Sequence, residues 1–201
     1  MWSDEAYIYV GDKHGHIFIT RCTNEEFMES CLVPAFKQSL IRVMVWGCIM
    51  EGRKGPLVVL EYPGGRGGGM NTQRYCEQML ESVVKGFFEE MRHERGHIFF
   101  QQDNASCHTS KHTKSWFSKN SIPLLFHPPN SPDLSPIELV WHEPKTLVQR
   151  RPHPPTNINE LKMAVLQAWE KLSVIDIDKY IMTMPERITA VLASHGGHTR
   201  Y

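Results

Sequence analysis

Three carboxylates stand where they could do phosphoryl chemistry: Asp4, Asp103 and Glu138. Asp103 ends the run His97-Ile98-Phe99-Phe100-Gln101-Gln102, so a short apolar strand delivers an acid to the edge of a sheet. Such a placement is poorly suited to a merely solvated side chain. Between Asp103 and Glu138 lie 34 residues. Hard divalent cations take oxygen ligands and keep several waters, so a few carboxylates from distant points of a chain suffice to hold them. Two such ions roughly 3.5–4 Å apart can clamp the attacking and leaving oxygens of an in-line phosphoryl transfer. Carboxylates crowded together without metal repel one another, so at least one of the three pKa values is expected to rise.

Each acid also has a plainer reading. Glu138 follows Ser135 by three residues with Pro136 between, which fits a helix-capping box, and spacing alone favours that role. Asp4 reads by composition as an ordinary turn acid. Asp133 competes with Glu138 as third acid, but in its proline-rich surroundings it is expected to fix the loop through side-chain-to-backbone bonds. Cys107, His108 and His112 resemble zinc ligands, yet no second ligand pair stands at a suitable spacing. Asn104-Ala105-Ser106 matches a glycosylation sequon, which has no bearing on a reduced intracellular protein. Arg150-Arg151 is too short for a nuclear signal.

The elements that must position these residues are legible from pattern. Ala6–Val10, His16–Thr20, Arg42–Met50 and Pro56–Leu60 are rich in β-branched and aromatic residues and are separated by turn signals, which predicts an antiparallel meander. The glycine-rich stretch 63–69 matches neither phosphate-loop pattern and reads as a linker. Turn spacing of Tyr75, Met79 and Phe87 predicts a helix over 71–91. Strands are expected at 97–102 and 122–126, with a short helix from Ser110 to Lys119 between them. Prolines are too dense over 127–134 for regular structure, and a helix should follow from Ser135. Asn157 with Glu160 opens another helix, with an apolar face of Leu161, Ala164, Val165, Ala168, Trp169 and Leu172. Further helices are expected over 176–182 and from Pro185 to about Gly196. Strands first, then alternation, then helices: this is an α/β pattern of a mixed sheet with helices packed on it.

The chain's 201 residues fit one domain, and 41% hydrophobic content excludes a disordered class. Five cysteines, at 22, 31, 48, 76 and 107, are odd in number and form no CxxC pair, which points to reduced intracellular thiols. No run is long enough for a membrane span, and no secretory leader is visible. A formal net charge of zero disfavours a protein whose whole surface grips nucleic acid, but not a catalytic domain whose DNA-reading part lies elsewhere.

Four ordered motifs carry a resemblance. Trp2-Ser3-Asp4-Glu5-Ala6, Val43-Met44-Val45-Trp46-Gly47, Gln102-Asp103-Asn104-Ala105-Ser106-Cys107-His108 and Ser131-Pro132-Asp133-Leu134-Ser135-Pro136-Ile137-Glu138 resemble the signatures of mariner-superfamily cut-and-paste transposases. The 34-residue gap closed by a glutamate resembles the Asp-Asp-Glu branch. The tail Met184-Pro185-Glu186-Arg187-Ile188 through Gly196-Gly197-His198-Thr199-Arg200-Tyr201 also looks like that branch. The resemblance implies a ribonuclease H-like mixed five-stranded sheet flanked by helices. It implies that Asp4, Asp103 and Glu138 are both catalytic residues and ligands of a two-metal site for Mg2+ (or Mn2+). Cleavage and integration of transposon ends into target DNA, a nuclear location and a homodimer belong to the same implication. Asn104 and His108 become candidates for supporting the site or contacting DNA.

Two features depart from the family pattern. The first strand lacks apolar residues before Asp4, and no basic helix-turn-helix region precedes it, so residues 1–201 read as an N-terminally truncated catalytic domain. Pro144 lies six residues past Glu138, where its ring should clash with the carbonyl of Val140 and kink or end the helix. These features support a second reading, a catalytically inactive transposon-derived module that binds nucleic acid or protein. A third is a generic ribonuclease H-like nuclease.

Overall fold

The computed structural model describes residues 1–10, 41–61 and 69–201. The expected strand His16–Thr20 and most of the glycine-rich stretch lie outside the described residues. Three strands form the body of the sheet: β1 (Trp2–Tyr9), β2 (Arg42–Met50) and β3 (Arg53–Leu60). They pair antiparallel in the order β1-β2-β3, with Asp4 opposite Gly47 and a register shift between Gly47 and Ile49. Asp4 is therefore the third residue of β1, inside the strand rather than an ordinary turn acid ahead of it.

The fourth and fifth strands are reduced to single parallel bridges, Trp2 with Gln101 and Phe100 with Leu124. Ser3 N donates to Gln101 O (3.1 Å) and Gln101 N to Met1 O (2.9 Å), while Leu125 N donates to Phe100 O (2.8 Å). The sheet thus continues past β1 in the mixed sense expected, but the strands expected over 97–102 and 122–126 barely form. Pro123 has no N–H to give a ladder, which shortens the edge.

Helices cover both faces. One helical rod runs as α1 (Thr72–Tyr75), a wider i→i+5 segment (Cys76–Val84) and α2 (Lys85–Arg95). Short α3 (Ser106–Thr109) leads into α4 (Lys111–Lys119), and a 3₁₀ turn (Pro132–Leu134) precedes α5 (Ile137–Val140) and α6 (His142–Gln149). The chain ends in α7 (Ile158–Lys171), α8 (Val174–Ile181) and α9 (Met184–Ala193). Asn157 caps α7, its side chain accepting from Glu160 N as expected.

Period-2 alternation in β2 builds two cores. Val43, Val45 and Ile49 pack against Ile137, Val140, Trp141, Leu161, Val165 and Trp169. Trp46, Cys48 and Met50 pack on the opposite side against Tyr75, Met79, Leu80, Phe88, Phe100 and Phe117. A central strand buried on both faces explains why its sequence is apolar almost throughout. Cys48, Cys76 and Cys107 are free and buried. No helix among the described residues is long and apolar enough to cross a membrane.

Pro144 acts as expected. The helix that starts after Ser135 stops at Val140, whose carbonyl Pro144 cannot satisfy, and restarts at His142. Pro144 sits buried in the first turn of α6.

Candidate active site

The alternation of β1 sends consecutive carboxylates to opposite faces. Asp4 shares a face with Ala6 and Ile8 and meets α5; Glu5 points to the face of α1 and α3. On the α5 side, Trp141 Nε1 donates to Asp4 Oδ2 at 2.8 Å. Trp141 itself is held by Trp169, with ring centroids 5.4 Å apart. Gly47, directly opposite Asp4, leaves room for these rings: a Cβ there would lie 2.9 Å from Trp141 and 3.3 Å from Trp169. Gly47→Ala is accordingly expected to lower stability by about 1–3 kcal/mol through overpacking, measured by denaturant unfolding. It should also displace the tryptophan that holds Asp4.

On the other face, His108 is buried between two acids. Its Nδ1 lies 2.5 Å from Asp103 Oδ1 and its Nε2 3.2 Å from Glu5 Oε1. Tyr75 packs on the imidazole, ring centroids 4.3 Å apart, and donates its hydroxyl to Gln102 Oε1 at 2.7 Å. Ala105 N also donates to Asp103 Oδ1 (2.9 Å), which closes a tight turn at the end of the strand. Asp103 Oδ2 accepts no hydrogen bond among the described residues. Asn104 Nδ2 donates to His127 O (2.8 Å) and so ties the strand end to the proline-rich loop.

Asp4, Asp103 and Glu138 line one cleft of about 370 Å³, together with Gln101, Asn104, His127 and the loop from Pro128 to Pro132. The expected capping box does not form. The residue before α5 is Pro136, no side chain caps the helix, and Ser135 contributes its carbonyl to Glu138 N (3.2 Å). Glu138 is left without a hydrogen-bond partner for its carboxylate among the described residues, and faces the cleft instead. Asp133 also departs from expectation: its carboxylate accepts from Thr199 Oγ1 of the C-terminal tail (2.7 Å), not from the loop backbone. Cys107, His108 and His112 form no zinc cluster. Among the described residues no three His, Cys, Asp or Glu side chains converge into a ready coordination sphere. The three acids line one cleft without being drawn together into a preformed metal cage.

Electrostatics separates the three. Burial, then the charge of Glu138, pushes the Asp4 carboxyl up to about 8, against the bond from Trp141. Burial raises Glu138 too, with Lys145 opposing and Asp103 adding to the rise. The bond to His108 holds Asp103 below the usual carboxylate range despite partial burial. For His108, burial alone would depress the imidazole; its bonds with Asp103, Cys107 and Glu5 outweigh that and raise it to about 12. The expected rise in at least one carboxylate is therefore found at Asp4 and Glu138.

A carboxyl raised from 3.8 to about 8 binds more protons folded than unfolded between those values, so it makes stability fall as pH rises through that window. Asp4→Asn should flatten the fall between pH 4 and 8, read as the difference between the two unfolding curves. An unchanged slope would remove Asp4 from the coupled pair.

Glu5 and Trp141 were not singled out from sequence. Glu5 was findable, because strand alternation puts it on the face opposite Asp4; Trp141, one turn past Glu138, was findable from helical spacing. What neither signal supplied was the identity of the partner across the fold.

A helix-flanked mixed sheet with an acid-lined cleft at the bridge between its first and fourth strands defines a ribonuclease H-like domain. The chain is similar over its whole length to the transposable element Tc1 transposase of Caenorhabditis elegans, 31% identical over 203 residues and covering 70% of that protein. It is equally similar to the Tcb1 transposase of Caenorhabditis briggsae, 31% over 204 residues with the same coverage. The DDE superfamily endonuclease family model matches residues 66–162. Among solved structures, the Mos1 transposase catalytic domain with Raltegravir and Mg superposes with a TM-score of 0.67 at 16% identity, covering 98% of this chain and 84% of that one. The Mos1 mariner paired-end complex with Mn gives 0.74 at 17% identity, over 98% and 56%. The chain belongs to the mariner/Tc1 transposases of the DDE superfamily. Its function is that of a transposase-type endonuclease and strand-transfer domain.

Proposed function

We propose that Asp4, Asp103 and Glu138 hold two divalent cations, Mg2+ or Mn2+, and that with them this chain cleaves transposon ends and joins them to target DNA. One observation carries the reading: three carboxylates far apart in sequence line one cleft, and two of them are pushed towards protonation there. The donor set fits hard cations, being carboxylate oxygens with Asp103 Oδ2 and the Glu138 carboxylate uncommitted to the protein. Bound there, such ions polarise the scissile phosphate and lower the pKa of the attacking hydroxyl.

The remaining work falls to the chain. His108 fixes Asp103 and keeps it ionised, Trp141 fixes Asp4, and Glu138 stands on the first turn of α5 with its carboxylate open to the cleft. Asn104 supports the site by bracing the loop that forms its far wall. The paired-end and strand-transfer complexes of the Mos1 transposase support DNA as the partner. By the same reading two copies of the chain act together, one per transposon end, in the nucleus.

Nicking of supercoiled plasmid by the full chain tests this. Activity should require Mg2+ or Mn2+ and be lost in each of Asp4→Asn, Asp103→Asn and Glu138→Gln. Nicking that persists in chelator, or in any one of these variants, would overturn the assignment.

A further inference from the structure

The C-terminal tail folds back onto the loop that leads into Glu138. Arg187 on α9 is 2% exposed. Its Nη1 donates to Asp133 O (3.0 Å), its Nε to Thr183 Oγ1 (2.7 Å), and its Nη2 is buried without a partner among the described residues. The ring of Tyr201 covers the guanidinium at 4.7 Å. Thr199 closes the knot: its hydroxyl donates to Asp133 Oδ2 (2.7 Å) and accepts from Tyr201 N (3.2 Å). Asp133 is thus gripped at both its carbonyl and its carboxylate, by residues more than fifty positions downstream.

From Asp133 the backbone runs to Glu138 without slack. Leu134 N bonds Ser131 O (3.1 Å), Ser135 N bonds Pro132 O (2.8 Å), and Glu138 N bonds Ser135 O (3.2 Å). Ser131, Pro132 and Ser135 line the cleft beside Glu138. Burying a guanidinium carries a large desolvation cost, and an apolar side chain would anchor the tail without it. A directed grip on one backbone carbonyl is what a guanidinium supplies and an apolar contact does not.

We propose that Arg187, Thr199 and Tyr201 form a clasp on Asp133 that positions Glu138, making them positioning residues for the metal site. The proposal rests on the reading of Glu138 as a metal ligand. Supports of a metal ligand typically cost 10–100-fold in metal affinity when removed.

The test is titration of the full chain with Mn2+ alone, with the thermal midpoint followed in parallel. Thr199→Val, which removes the hydroxyl at little cost in shape, should weaken Mn2+ binding roughly 10-fold while leaving the midpoint within a few degrees. Thr199→Ser should restore the parent affinity, and Asp133→Asn should weaken it in the same direction as Thr199→Val. Glu138→Gln is the reference. If it weakens Mn2+ binding and both Thr199→Val and Asp133→Asn do not, the clasp is merely structural and the proposal fails. If Glu138→Gln itself binds Mn2+ like the parent, the metal-site reading fails and the clasp's role with it.

Discussion

Asp103→Asn should reduce plasmid nicking by more than about 10³-fold, the order of effect expected when a preorganised charge at the reacting phosphate is lost. The substitution keeps the size of the side chain and removes the charge that a cation and His108 both require. Asp103 is the member of the triad held most firmly. His108 and Ala105 N fix one oxygen and leave the other for the cleft. Its ionisation is secured by His108, unlike that of Asp4 and Glu138. The accompanying loss of stability should be small, because the Asp103 side chain is 53% exposed and solvent can replace the lost partner. Single-turnover nicking at saturating Mg2+, with circular dichroism to follow the fold, separates the two effects. Activity within tenfold of the parent would mean that the chemistry does not run through Asp103.

The second large effect is expected at His108, and it is mainly one of stability. His108→Ala strands Glu5, whose side chain is only 11% exposed, without a positive partner. Removing one member of a buried ion pair typically costs about 3–5 kcal/mol. The sign with pH is definite. A histidine raised from 6.5 to about 12 contributes its full stabilisation below pH 6.5 and loses it as pH rises through the folded value. The deficit of His108→Ala should therefore be greatest at low pH and shrink on the alkaline side. Adding Glu5→Gln to His108→Ala should recover part of the loss, because the stranded carboxylate is then neutral. Equal unfolding free energies for parent and His108→Ala would show that the Glu5–His108–Asp103 chain carries no energy.

How much of this was legible in the sequence depends on whether a feature is local. The extent of β2 was readable because each of its faces meets a core, so nearly every residue from Val43 to Met50 is apolar. The start of α7 was readable because Asn157 and Glu160 cap it through neighbours in the chain. The break at Val140 followed from the chemistry of Pro144 alone. The fourth and fifth strands read as longer than they are, since Ile98-Phe99-Phe100 and Leu124-Leu125-Phe126 have strand composition but lie at an edge where Pro123 withholds a donor. Glu138 was ambiguous for a definite reason: a first-turn glutamate three residues after a serine can close back on the cap or face outward. Only the packing of α5 against β1 decides between them. The partner of Glu5 and the clasp on Asp133 were invisible to spacing because the groups they join lie roughly a hundred and over fifty residues apart.

The fold accounts for the cleft that the three acids share. The unequal support of the three follows from their surroundings. Asp103 is pinned and ionised, Asp4 is pinned but protonated easily, and Glu138 is placed by a loop that the C-terminal tail grips.

Binding of the catalytic metal by these three carboxylates would be seen without intermediary in anomalous scattering from Mn2+-soaked crystals of the full chain. Manganese peaks are expected in the cleft, within about 2.5 Å of oxygens of Asp4, Asp103 and Glu138. Manganese bound elsewhere on the chain, with the cleft carboxylates unliganded at saturating concentration and neutral pH or above, would contradict it.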